Sequence, residues 1–526
     1  MRLFWLFLPL WLIAKEITLD FLINKPASTA RDYYIWRFLD QNISANEAQK
    51  ALELAKRVNS KILRRYAQKI EDNAIKRAID CLYMPAKKLI NQDPSCIAAG
   101  ISIAKFTQLP RKKRIEVFKK LRKFPIKEDL KFLLTDNPLP ALKGFDKKFL
   151  KIWLASSRKY RKKHLDSVYT KKFLKSLTKD YRFNSFAQKA VFENLDKTIY
   201  SLLRLPPHYF NPQAAFYLGI AALQRNLKHT AKRFFLQSLQ KAYYKDKKDR
   251  ALFWLYKTTK DTAFLQKLLK SKDCNIYVLL AFEIAKKEFT NYFHLTKLPN
   301  KKIDLNLSDP FVWYATYQKI TTHNPSELLQ EFNSTTTQNL YAIVFEKATL
   351  YHQHPFITPF EKQLDNISLK LLIYAIIKKE SRFIPGAISS AYALGIMQFM
   401  PFLAKNSAKK LHINNFDLDM MFNENIALRF GIDHLQYLLS YLKHPLFVAY
   451  AYNGGIGYTR RKVLPLFQKL DPFMAMEMVG VEETREYGKK VLCFFAIYKK
   501  IFNQPFSLLD SFEKLKELSR LHRFGK

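Results

Sequence analysis

The carboxyl whose neighbours best suit it to move a proton is Glu380. Ile373, Ile376 and Ile377 precede it by seven, four and three positions, so at about 100° per residue they share its face of a helix. The segment NISLKLLIYAIIKKESRFIPGAISS reads as that helix, capped by Asn366 or Ser368 and stopping before Pro385. The pattern sets Glu380 on the apolar stripe near the helix end, with Lys378 and Lys379 on the wet side. Lost hydration and the partial negative charge of a helix C-terminus both favour the protonated carboxyl. A proton available near neutral pH is what a general acid requires. The competing reading is a buried Glu paired with an Arg or capping a backbone group.

Two further segments place aromatic and amide groups where a ligand could meet them. In ALGIMQFMPFLAKNSAKKL a glycine lets backbone approach closely, and Met397, Gln398 and Met400 precede a helix with Pro401 in its first turn. In AYAYNGGIGYTRRKV, Tyr452 and Asn453 end a helix and three glycines form a tight loop. Side chains of these kinds beside a flexible turn suit sugar rings, which offer apolar faces and hydroxyl edges. Taken singly, a Met stripe reads as core and Gly-Gly as a turn.

The elements that must position these residues are helices. With 526 residues the chain needs two or three folded units, and only 12 glycines among many helix formers point to an all-α fold. Residues 20 to 300 read as helix after helix. In PQAAFYLGIAALQRNLKHTAKRFFLQSLQKA, Ala214, Tyr217, Leu218, Ala221 and Ala222 form one stripe; Ala231, Phe234, Phe235, Ser238 and Leu239 form the next. Small residues facing aromatics across a short turn describe a tetratricopeptide-like hairpin, and hence a helical solenoid. Pro-, Asn- and Asp-rich stretches at 296–312 and 352–360 mark boundaries. The expected order is a signal peptide (1–14), a helical superhelix (15–300), a linker (301–360), the unit carrying Glu380 (361–510) and a tail (511–526). The apolar run Leu3–Ile13 behind Arg2 has the length of a secretory signal core and is too short to span a bilayer. Secretion would make the compartment oxidising, where Cys81 and Cys96 could bond; two buried thiols are the alternative, and Cys274 and Cys493 read as core. No metal-ligand spacing occurs, and no later run is long enough to cross a membrane. The net charge of +44, from 89 Lys and Arg against 45 Asp and Glu, should attract polyanions; it is spread along the chain and does not choose among them.

In order and spacing, these motifs resemble those of the soluble lytic transglycosylases, family 1 of that class, whose catalytic domain has a goose-type lysozyme-like fold. Glu380-Ser381 matches the ES motif, Gly395 to Pro401 the GLMQ-type motif, and Ala451-Tyr452-Asn453-Gly454-Gly455 the AYNAG-type motif. Glu477 with Glu483-Thr484-Arg485-Glu486-Tyr487 resembles the closing element. The resemblance covers about 140 residues; the N-terminal helices resemble the U-shaped and linker domains by architecture. It implies that Glu380 protonates the oxygen joining N-acetylmuramic acid to N-acetylglucosamine and then takes the proton of the muramyl C6 hydroxyl, which closes on C1 as a 1,6-anhydro product. The substrate supplies the nucleophile, so no second catalytic carboxylate and no cofactor is needed. Ser389, Met397, Gln398, Met400, Tyr452, Asn453 and Tyr487 are implied to line sugar and peptide subsites, and Glu477 to orient the site. The implied partners are peptidoglycan strands and muropeptides, with cell-wall synthesis or hydrolysis enzymes as further ones, and the implied location is the periplasm. Tyr392-Ala393 replaces the usual Gly-Ala after Ser389, Leu394 replaces a small polar residue, and Gly455 is shifted. These departures bear on the loop around Ser389.

Three rivals remain on the sequence: a lysozyme-like hydrolase needing a second acid to hold water, a non-catalytic glycan-gripping scaffold, and a nucleic-acid binder motivated by charge alone and lacking any recognised module. Separately, Asn42, Asn306 and Asn333 each follow an acid by two positions and precede Ser or Thr by two, resembling the extended acceptor pattern of bacterial periplasmic N-glycosylation.

Overall fold

The computed structural model describes residues 16–135 and 137–521. The expected signal peptide at 1–14 lies outside the described residues. The fold is all-α, about 66% helical. Strands among the described residues are limited to Tyr292–His294 and His354–Phe356, paired in parallel with Tyr292 opposite His354. Among the described residues no helix is long and apolar enough to cross a membrane.

The chain divides into two compact units, and the division departs from the expected boundary near residue 300. One unit is Glu71–Lys287; the other joins the described residues up to Ile70 with those from Glu288 onward. Within Glu71–Lys287, helices pack on their neighbours in sequence, the arrangement of a solenoid. The hairpin read from the sequence forms as Pro212–Leu223 and Lys228–Lys241, the first capped by the Asn211 side chain with Pro212 at its start. Both stripes are buried except Leu239, which is half-buried. The Phe216 and Phe235 rings carry the core onward to Trp254 of the Lys245–Thr259 helix. A disulfide joins Cys81 and Cys96, 15 positions apart, and so staples Asn73–Tyr83 to Pro94–Gly100. Cys274 and Cys493 are buried in their respective units.

In the other unit the first helices dock onto the region carrying Glu380. Arg37, from Thr29–Phe38, pairs with Asp417 at 2.6 Å and Asp419 at 2.5 Å, and the Tyr34 hydroxyl donates to Asp419 at 3.2 Å. Composition does not distinguish these helices from the ones that follow; their aromatic and Arg side chains do, because their partners lie near residues 390–423. Glu482–Ile501 is the buried spine, packed between Ile367–Glu380 and Pro445–Gly454. The expected tail at 511–526 is corrected over its described part. Leu508–Arg520 is a helix, capped by Ser507, because Leu508, Phe512 and Leu515 share one face and bury it on the helices Leu464–Lys469 and Pro472–Glu477.

Candidate active site

The helix that delivers Glu380 runs Ile367–Glu380, with the Asn366 side chain accepting the Leu369 N–H at 3.0 Å. Its end is fixed by Ser381, whose hydroxyl donates to the Ile396 carbonyl (2.8 Å) and accepts the Phe383 N–H (3.1 Å). Arg382 and Phe383 follow with φ of 56° and 67°, a left-handed turn that costs a side-chain-bearing residue about 1 kcal/mol or more. Ile373, Ile376 and Ile377 are fully buried, as the stripe requires. The wet side does not hold for Lys378. It is buried, donates to the Pro355 carbonyl at 2.8 Å and faces Glu346 at 3.6 Å. Glu346, itself buried on Gln338–Ala348, also pairs with Arg382 and faces His354 at 3.6 Å. One carboxylate thus gathers cations from both sides of Glu380.

Glu380 itself stays partly exposed while its surroundings strip most of its water. Burial, the largest influence, pushes its carboxyl from the ordinary 4.5 up to about 7. The Tyr487 hydroxyl and the Lys379 ammonium pull it down, and Glu483 pushes it slightly further up. Lys379 lies over the Tyr487 ring at 5.1 Å. The Tyr487 hydroxyl is buried and has no hydrogen-bond partner of proper geometry, so it acts on Glu380 as a nearby dipole awaiting a partner. The Tyr452 and Tyr487 rings lie parallel, centroids 6.5 Å apart, and burial followed by the charge of Glu380 raises both phenols.

The second and third motifs each contain a left-handed turn. Gly395, φ 72°, presses against the Met421 carbonyl where a Cβ has no room. Leu394 exchanges hydrogen bonds with Phe399 (2.9 and 3.0 Å), and Gln398, φ 50°, turns the chain back. The Gln398 amide donates to the carbonyls of Ala387 (3.0 Å) and Gly395 (2.8 Å), so its nitrogen is spent on the loop. Met400 is half-buried and opens Pro401–Lys410. Met397 is corrected as a direct ligand contact: its side chain is fully buried, and it serves the site through its carbonyl, which accepts the Tyr452 O–H at 2.6 Å. The expected three-glycine loop is also corrected. Helix Pro445–Gly454 runs through Gly454, and Gly455 alone, φ 84°, breaks it before a new turn at Ile456–Tyr458. Asn453 accepts from the Thr484 hydroxyl (2.7 Å) and donates to Glu483 (3.3 Å).

Glu477 is likewise no direct contact. It is fully buried with Lys489 at 2.7 Å, which also reaches Glu486 at 3.1 Å. Its reach into the site runs through the spine helix. Glu483 and Thr484 are the residues whose contact with Asn453 the sequence reading did not foresee; the signal available was their place within the turn preceding Tyr487. Ser389 is half-buried, its hydroxyl accepting the Ala393 N–H at 2.9 Å. Asn42, Asn306 and Asn333 are all exposed on non-helical segments. Among the described residues, no group of His, Cys, Asp or Glu could hold a metal ion.

Residues 358–465 match the family model of the Transglycosylase SLT domain. The soluble lytic murein transglycosylase of Salmonella typhimurium is 28% identical over 141 residues, 26% of this chain and 22% of that protein. The protein of the same name from Escherichia coli K12 is 30% identical over 145 residues, again 26% and 22%. The matched stretch thus spans about a fifth of the length of these curated relatives. Among solved structures, an inactive mutant of lytic transglycosylase Slt from Pseudomonas aeruginosa aligns with a TM-score of 0.49 at 16% identity, covering 92% of this chain and 78% of that one.

Proposed function

We propose that this chain is a lytic murein transglycosylase that cleaves the bond between N-acetylmuramic acid and N-acetylglucosamine and leaves 1,6-anhydro ends. The carrying observation is a single carboxyl, Glu380, held with a proton affinity near neutrality within a segment that matches the Transglycosylase SLT domain. Glu380 donates its proton to the bridging oxygen as the C1–O bond breaks. The muramyl C6 oxygen bonds to C1, and its proton returns to the Glu380 carboxylate. The half-buried Tyr452 ring, beside the Asn453 amide, suits a sugar's apolar face and hydroxyl edge, with the buried Tyr487 ring parallel to it as a support. Ser389, Gln398 and Met400, all half-buried, are the further groups assigned to glycan contacts, with Met397 and Glu477 as buried supports. The substrate places the enzyme in the periplasm, and the Cys81–Cys96 bond suits that compartment.

The hydrolytic alternative needs a second acid to hold water. Glu483 is an exposed acid whose charge bears on Glu380, and it is the candidate for that role. Mass analysis of purified cell wall digested by wild type and Glu380→Gln decides. Anhydro ends from wild type and none from the variant are expected; reducing ends indicate hydrolysis, and undiminished digestion by the variant removes Glu380 from the chemistry.

A further inference from the structure

Tyr392 occupies a position its residue type should avoid. It has a φ of 63°, in the left-handed region that a bulky aromatic enters only when its surroundings hold it there. Its ring is almost wholly buried and is enclosed by the first helices of the same unit. Trp36 lies 5.5 Å from it and Tyr33 5.9 Å, both from Thr29–Phe38. The Lys61 ammonium sits 5.2 Å over the ring while also donating to the Ala391 carbonyl at 2.5 Å. The Tyr392 hydroxyl accepts from the Asn59 amide at 2.7 Å. Asn59 is itself fixed, because its side-chain oxygen caps Ser60–Tyr66 by accepting the N–H groups of Lys61 (2.9 Å) and Ile62 (3.1 Å).

The loop held in this way is the one that carries Ser389. Ser389 accepts the Tyr392 N–H through its carbonyl (2.8 Å) and donates its own N–H to Ala393 (3.0 Å). Its hydroxyl takes the N–H groups of Ala391 (3.3 Å) and Ala393 (2.9 Å). The Tyr392 anchor and the Ser389 hydroxyl therefore belong to one closed turn, and displacing the ring must open it. We infer that Asn59 and Tyr392 form a positioning pair, through which the N-terminal helices fix the Ser389 loop and so set how tightly the enzyme binds its glycan. The binding half of this statement rests on the proposed function; the clamp itself does not.

The test uses the full chain with Tyr392→Phe, which removes only the hydroxyl, with Asn59→Ser, which keeps a capping oxygen but cannot reach Tyr392, and with both together. Hydrogen exchange of the segment 388–394 is expected to quicken about fivefold in either single variant, the factor one net hydrogen bond contributes, and no further in the double. On glycan KM should rise by a similar factor with kcat unchanged. Unchanged exchange in the single variants, or multiplicative effects in the double, overturns the clamp. An unchanged KM, or a loss confined to kcat, overturns the binding role. Coupled exchange in a protein that digests no glycan keeps the clamp and sinks the proposed function instead.

Discussion

Replacing Glu380 by Gln should abolish wall digestion and at the same time stabilise the fold, by an amount that depends on pH. Burial lifts the folded carboxyl from 4.5 to about 7. Below pH 4.5 both folded and unfolded chains keep the proton, and the native carboxyl costs nothing. Between 4.5 and 7 the unfolded chain gives up its proton and the folded chain retains it, so the destabilisation grows with pH and is complete above 7. At about 1.4 kcal/mol per tenfold in proton affinity, the full rise is worth roughly 3 kcal/mol. Glu380 is partly exposed, and solvent screening reduces this to about 1–2 kcal/mol. Gln has the same shape and no charge to desolvate, so it should recover that energy. Thermal unfolding of both proteins from pH 4 to 8.5 measures it, at roughly 2 °C per kcal/mol in a unit of this size. The midpoints should coincide at pH 4 and separate by a few degrees in favour of Gln at pH 8. A gap that is constant with pH, or one favouring Glu at pH 8, refutes the desolvated-acid reasoning. For wild type, kcat/KM should fall about tenfold per pH unit above 7 as the acid form is lost.

Tyr487→Phe removes a dipole that favours the ionised acid, so the alkaline limb of the pH–rate profile should move up by roughly half to one pH unit. A limb that moves down, or not at all, excludes this role. Glu346→Ala strips the carboxylate from buried Lys378 and from Arg382 and should cost about 3–5 kcal/mol in chemical denaturation, with the loss largest in the unit bearing Glu380. Opening the 15-residue loop with Cys81→Ala and Cys96→Ala should destabilise Glu71–Lys287 by about 2–4 kcal/mol; intact-mass analysis with and without reductant checks that the bond is present in the native protein. Glycopeptide mass spectrometry of the native protein tests exposed Asn42, Asn306 and Asn333 for modification, against Asn366, which has no acid two positions before it and caps a helix. Three bare asparagines end that idea.

The sequence by itself determined the helices and the acid. Periodicity of three and four reports which face of a helix is apolar, and Asn366 and Pro401 mark helix starts because capping and N-terminal proline are local effects. The stripe of isoleucines was enough to say that Glu380 would be desolvated. The same periodicity misjudged Lys378, since a helix buried on nearly every side draws its polar partners from elsewhere in the chain, here Pro355 and Glu346. Met397 and Glu477 lie in matching motifs, but whether a motif residue stays accessible or is buried depends on packing, which spacing does not encode. Only the tertiary structure decided that helices before residue 70 belong with the unit carrying Glu380, and that the left-handed backbone at Tyr392 is held through Asn59, more than 300 residues away in sequence. Left-handed backbone in a bulky residue is a local cost sustained by distant contacts, and no local pattern can reveal those contacts.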